Sequence, residues 1–312
     1  MHYNILRLAV ALLSLITACP ASSWAQQQPV RDASADSIIN AQASSHNFIR
    51  ASLLVVSPGN AVYSAFGHAA IRMECPSKHL DLCFTFEGAI DGWGKISFLL
   101  HKAKGGFAGV PTPLFLQQYA AEHRGITTYP LNLRPRQKQE LWRVLDSEVS
   151  RGLAWEYDYP EINCVSMCIY AIRRSLLGDH IVYHDLSRVL QAPYHRLPYY
   201  ISSSAPWSRL FWQVMLIDKG ELTGDIEDKM SPSLLADSWS RAELSDSLGD
   251  RRPMFANAGM ILLRSGPVPE PTWFTPIVAL GFFVVIIVAL AIIVLLRHKA
   301  VRVKSKNAFH DK

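Results

Sequence analysis

The 312-residue chain is poor in charge, with Asp, Glu, Lys and Arg making up only 18% of it. It also lacks the patterns that announce several chemistries. There is no Cys-x-x-Cys pair, and His68, His79, His101 and His123 show no i, i+4 spacing of the kind that presents two zinc ligands on one helix face. No metal site is expected. The segments "GKISF" and "KGGFAG" lack the P-loop signature, so neither a nucleotide nor any other cofactor is expected. Much of the formal +5 charge sits in Arg297, Lys299, Arg302, Lys304 and Lys306, close to the C-terminus, which argues for orientation and not for nucleic-acid binding. No internal repeat is visible.

What the chain does have is 49% hydrophobic residues, with an apolar segment near each end. The first, "LRLAVALLSLITAC", has Arg7 in a weakly basic start, and Ser23 and Ala25 fit the small-x-small cleavage pattern. Residues 1–25 therefore read as a signal peptide cut after Ala25; the competing reading makes Cys19 a lipidated residue, though Pro20 follows it directly. Either way the chain enters an export compartment. The second segment, 277–296, is uncharged and long enough, at a rise of about 1.5 Å per residue, to span about 30 Å of hydrocarbon. Trp273 and Phe274 stand where an interfacial aromatic belt would, and the basic tail 297–312 places the C-terminus in the cytoplasm by the positive-inside rule. The expected location is the bacterial inner membrane, single-pass, with the body of the chain in the periplasm.

Between these segments, 26–46 reads as a flexible lead-in and 47–265 as one domain. "ASLLVVS", "AAIRM" and "LDLCFTFEG" read as strands, the last two joined as a hairpin through "ECPSKH". Gly88 to Gly109 reads as a glycine-rich aromatic loop carrying Trp93, Phe98, Leu99, Leu100 and Phe107, either a lid or lipid-facing edge or an ordinary packed loop. "PTPLFLQQYAAEH", "RPRQKQELWRVLDSEVSR" and "SPSLLADSWSRAELSDSL" read as helices and "TTYPLNL" as a strand. The fold class is α+β.

Cys164 opens a helical apolar stripe that runs to Leu177, with Gly178 as its C-cap and Asn163 at its N-terminus. Free amides and the helix dipole stabilise a thiolate there, bringing a cysteine from about 8.5 into a range of about 3.5 to 7.5 when an imidazolium is also close. Cys164 is thus a candidate nucleophile and His68 a candidate partner. The plainer alternatives stand beside these: Asn163 as an ordinary N-cap, His68 as a structural histidine, and an even cysteine count in which Cys75 and Cys83 flank the hairpin and could form a disulfide. Cys164 and Cys168, four apart on one helix, are poorly placed to bridge.

The order "FGHAAIRM", "FTFEG" and then "NC" resembles the circularly permuted, papain-like branch of the NlpC superfamily to which lecithin:retinol acyltransferase-like proteins belong. More closely, "SPGNAVYSAFGHAAIRM", "LNLRPRQKQELWRVLD", "WEYDYPEINC", "APWSRLFWQVML" and "MSPSLLADSW", in that order from Ala51 to Trp239, resemble the periplasmic domain of the Lnb lipoprotein N-acyltransferase family. The chain departs from that pattern at Val165, Ser166 and Met167, where the family tends to have hydroxyl residues and an arginine, and at "FTFEG", where many members have an aromatic-Asn-aromatic-Gly block.

The resemblance implies a permuted papain-like (NlpC-type) domain in which His68 is the general base for Cys164. The Cys164 amide and Asn163 would meet the oxyanion, and Glu87, ahead of Thr85, would orient the imidazole. Gly67 either admits a close backbone approach or ends a turn. The implied activity is acyl transfer from a membrane phospholipid or lipoprotein donor, through a Cys thioester, to a lipoprotein N-terminus. A membrane-anchored Cys hydrolase (lipid esterase, thioesterase or peptidase) and a non-catalytic envelope binding domain are the alternatives. The wider superfamily's peptidoglycan work fits less well, because cell-wall-binding repeats are missing and a membrane tether suits a lipid substrate.

Overall fold

The computed structural model describes residues 50–88, 103–157, 162–184, 201, 204–216, 231–267 and 273–310. The signal peptide, the Cys19 alternative, the lead-in and the stretch 89–102 lie outside the described residues. The chain divides into two units, Met1–Pro269 and Glu270–Lys312.

The first unit is mixed α+β. Its strands are β1 (Arg50–Val56), β2 (His68–Cys75), β3 (Leu80–Gly88), β4 (Lys104–Pro111), β5 (Ile126–Pro130), β6 (Trp155–Glu156), β7 (His180–Val182), β8 (Glu243–Ser245), β9 (Arg251–Pro253) and β10 (Met260–Leu263). Seven of them make an antiparallel sheet in the order β10-β5-β1-β2-β3-β4-β6, and β7-β8-β9 form a small second sheet. Among the described residues this unit's α-helices are α1 (Thr112–Ala121), α2 (Pro135–Arg151), α3 (Cys164–Ser175), α4 (Pro206–Met215) and α5 (Pro232–Trp239).

Strand alternation splits the large sheet into two buried faces. From β2, Ala69, Ile71, Met73 and Cys75 join a core with Phe84 and Phe86 of β3, Trp142 of α2, Ile169 and Ile172 of α3, and Trp239 of α5. Ala70 points the other way, into a core with Cys83, Phe115 and Tyr119, the last two from α1. This division settles the cysteine question. No disulfide joins Cys75 to Cys83, because the hairpin register pairs Cys75 with Leu80 and Cys83 with Arg72, leaving the two sulfurs on opposite faces of the sheet.

Two further readings are corrected. Part of the expected loop before Gly109 is β4, paired along its length with β3, and Phe107 is buried edge-on against Phe86 at 5.5 Å, so it is core and not lid. The helix expected from Ser231 onward stops at Trp239. The following "ELS" becomes β8, because its Leu244 is fully buried and its backbone pairs with both β7 and β9.

In the second unit, α6 (Pro276–His310) contains an apolar stretch, Pro276–Ile293, of mean hydropathy 3.1, long and apolar enough to cross a membrane. The helix does not end with the apolar run but continues to His310.

The turn into β2 depends on one residue. Gly67 has φ +94°, its N–H donates to the Ser64 carbonyl at 2.9 Å, and a Cβ there would lie 2.5 Å from the Val56 carbonyl oxygen. Both of the roles anticipated for it hold. Gly67→Ala is expected to cost about 1–3 kcal/mol from strain and the backbone clash, read as a lowered Tm in thermal unfolding; an unchanged Tm would contradict this account of the turn.

Candidate active site

Asn163 fixes the entry to α3. Its extended backbone (φ −141°) lets the side-chain oxygen accept from the N–H groups of Val165 at 2.8 Å and Ser166 at 3.2 Å, while its own N–H donates to Ser166 Oγ at 2.9 Å. This reciprocal capping box satisfies two orphan amides and commits Asn163 Oδ1 to holding the helix. Cys164 follows as the first helical residue, half-buried at the edge of the main core, where α3 packs on β2 and β3. The amide of Ala69, the residue that follows His68, helps to lower the pKa of its thiol. The helix packs on β2, the strand that His68 begins.

His68 is the first residue of β2. Its Nε2 lies 2.5 Å from Thr85 Oγ1, and the Thr85 hydroxyl donates onward to Glu87 Oε1 at 3.4 Å. The family resemblance favours Glu87 over Thr85 as the orienting group. The structure reverses that order: Thr85 and Glu87 are two apart on β3 and so share a face, but Thr85, fully buried, touches the imidazole, and Glu87 stands one bond behind. A hydroxyl that donates to the carboxylate accepts from Nε2–H, which leaves the Nδ1 lone pair as the basic site of the ring.

The electrostatics differ from expectation. Burial pushes the Cys164 thiol up to about 11, against the pull of the Ala69, Cys164 and Val165 amides and of Arg124. Burial, and then the charge of Arg124, lower His68 to about 3. The resting pair is thus a neutral thiol and a neutral imidazole, not the thiolate expected from the helix N-terminus alone. Desolvation outweighs the dipole here because the thiol sits against the apolar core. No hydrogen bond joins the two side chains among the described residues, and such contacts commonly tighten only when substrate is present. Glu87 is also raised, mainly by burial.

Two residues that sequence reasoning missed complete the surroundings. Tyr119 of α1 stacks on His68, with ring centroids 6.2 Å apart and 27° between planes, and Arg124 places its guanidinium carbon 4.8 Å from the centre of the Tyr119 ring. In sequence Tyr119 is one more apolar-stripe residue of a short helix, and Arg124 a lone cation in a turn; neither stretch carries a signal.

A histidine, a hydroxyl and a carboxyl in a row beside a helix-borne thiol define a thiol-bearing α+β domain. Residues 39–189 match the model of the Lnb N-terminal periplasmic domain, a stretch that contains His68, Thr85, Glu87, Asn163 and Cys164. The chain thus carries an Lnb N-terminal periplasmic domain, which points to a periplasmic protein of lipoprotein processing. No curated protein and no solved structure matches the chain.

The pKa direction carries a test. Below a thiol pKa of about 11, the thiolate fraction and hence iodoacetamide alkylation of Cys164 should rise about tenfold per pH unit between pH 7 and 10. A rate that levels off near neutral pH, with the product mapped to Cys164 by mass spectrometry, would contradict the neutral resting pair.

Proposed function

We propose that the protein is a membrane-anchored periplasmic thiol acyltransferase that moves an acyl chain from a lipid ester to the N-terminal amine of a lipoprotein. The observation that carries the reading is Cys164 at a capped helix start packed on β2 and β3, the two strands that carry the His68–Thr85–Glu87 row, within an Lnb periplasmic domain. The permuted papain-like arrangement belongs to this proposal: the strand histidine precedes the helix cysteine in the chain, and the imidazole is oriented from the next strand.

In the first half-reaction His68 Nδ1 takes the Cys164 proton as the sulfur attacks the ester carbonyl. The tetrahedral oxyanion is met by the Cys164 amide at the helix start. The carbon–oxygen bond then breaks, and His68 returns the proton to the departing alcohol, leaving a thioester on Cys164. In the second half-reaction the acceptor amine attacks the thioester and loses a proton to His68. An amide forms, and the thiol is regenerated with that proton. Thr85 and Glu87 hold the tautomer throughout. The apolar stretch of α6 would anchor the domain in the membrane that holds both substrates, and the basic residues after it would keep the C-terminus in the cytoplasm.

The test is mass spectrometry of lipoprotein N-termini in cells with and without the protein. Loss of the chain, Cys164→Ala and His68→Ala should each leave the amino groups free. Thr85→Val, which keeps the side-chain shape and removes the hydroxyl, should slow N-acylation by about 10²-fold, near the lower end of a general-base contribution. N-acylation undiminished in Cys164→Ala would overturn the nucleophile. Rapid fatty-acid release from lipid donors with no N-acylated product would instead make the protein a hydrolase.

A further inference from the structure

Among the described residues, Arg124 is the cation whose charge acts on both His68 and Cys164. It occupies the turn between α1 and β5, yet it is 94% buried, with a relative exposure of 6%. Its Nε donates to the Ser57 carbonyl and its Nη1 to the Glu122 carboxylate, both at 2.8 Å. Its Nη2 is buried without a hydrogen-bond partner among the described residues. A buried guanidinium incompletely bonded is costly, and such groups are uncommon enough to call for a reason. Its one ion-pair partner among the described residues, Glu122, is more exposed, with 26% of its side chain open against 7% for Arg124. Water therefore screens the carboxylate better than the cation, and the positive field falls on the interior, where the effective dielectric is low.

The geometry directs that field. The Tyr119 ring lies against both the His68 imidazole and the Arg124 guanidinium, so the clamp on Arg124 also fixes its place relative to the base. We propose that Arg124 is a positioning residue of the dyad: its guanidinium, clamped by Ser57 and Glu122 beside the Tyr119 ring that stacks on His68, sets the charge environment in which His68 works with Cys164. The inference rests on reading Cys164 and His68 as a dyad. It assigns the turn after α1 a role in setting which partner carries the proton, and it explains why a cation is kept buried there. The groups given around His68 are Thr85 and, behind it, Glu87 from β3, Tyr119 from α1, and Arg124 from the turn. Of these, only Arg124 is a cation, and it is the sole charge that contributes to lowering His68. On Cys164 the same charge acts in the same direction, opposing the effect of burial.

During turnover the cation would favour sulfur and oxyanion charge and disfavour a lingering imidazolium. The proton taken by His68 is then passed on quickly to the leaving alcohol.

Two readouts that need no activity test this on the full chain in detergent. His68 titration is followed by NMR of labelled histidine, assigned with His68→Gln, and Cys164 alkylation by iodoacetamide is timed at pH 7 to 10. In folded Arg124→Gln the His68 midpoint should rise by about one pH unit and Cys164 alkylation at a given pH should slow by about tenfold, since one unit in a thiol pKa is a factor of ten in thiolate. Arg124→Lys should restore most of both. Glu122→Gln, which removes the partial neutralisation, should shift both in the opposite direction and so speeds alkylation; this variant decides the matter if Arg124→Gln does not fold. Unchanged titration and alkylation in a folded variant would overturn the proposal. If the titrations move as expected while Cys164→Ala still acylates lipoproteins, the acyltransferase reading fails and the electrostatic assignment of Arg124 stands.

Discussion

The site depends on the packing of one helix on the strand that His68 begins. Asn163 and Ser166 cap α3 reciprocally, and the helix that Cys164 opens packs on β2 and β3. Ala69 is held by the sheet: its side chain belongs to the main core with Phe86 and Met167, while His68, one residue earlier, projects to the other face toward Thr85. Because strand side chains alternate, the sulfur and the ring reach the same strand end from the two sides of the sheet. A one-residue slip in the β2–β3 register would exchange the faces of His68 and Ala69 and dismantle the row. The turn ending in Gly67 prevents that slip by fixing where β2 begins.

The same packing that positions the thiol also works against its ionisation. A helix N-terminus contributes about 0.3–1 kcal/mol per charge when exposed and up to about 2 in partly buried settings, whereas burial can shift a titratable group by as much as about 3–5 units, each worth about 1.4 kcal/mol. At Cys164 burial wins, and it wins at His68 too, in the opposite direction. In the proposed reaction a neutral pair asks more of the base, which would have to remove the proton as attack occurs. The buried Thr85 and Glu87 behind the imidazole, and the cation of Arg124 beside it, are the groups available to meet that demand.

Much of this was legible in the chain. The three strands β1 to β3 read correctly because they are short apolar runs bounded by turn residues, as suits a sheet buried on both faces, where Leu53, Leu54, Ile71 and Phe84 are all fully buried. The helix start at Asn163 and Cys164 was readable from cap chemistry, and the row on β3 was narrowed to its two members. What stayed hidden has physical reasons. β4 reads as a loop because "GGFAG" lacks bulk; its glycines permit close approach, and a Cβ on Gly106 would strike the Gly152 carbonyl. The choice between Thr85 and Glu87 turns on reach, which period-2 patterning cannot give. A Cys75–Cys83 bridge looked possible from spacing around the turn and is excluded only by register. Arg124 and Tyr119 come to His68 through tertiary packing from a separate helix and turn, and no local pattern marks them.

The central claim is that Cys164 carries the acyl chain between donor and acceptor. The most direct measurement is intact-protein mass spectrometry of the full chain in detergent after mixing with a phospholipid donor and no acceptor, followed by peptide mapping. The account predicts an added acyl mass on Cys164 that hydroxylamine removes, that a diacylglyceryl lipopeptide with a free amine discharges as an amide product, and that Cys164→Ala never acquires. N-acylated lipopeptide formed at full rate by Cys164→Ala, or by the wild type with its acyl group on a residue other than Cys164, would contradict it.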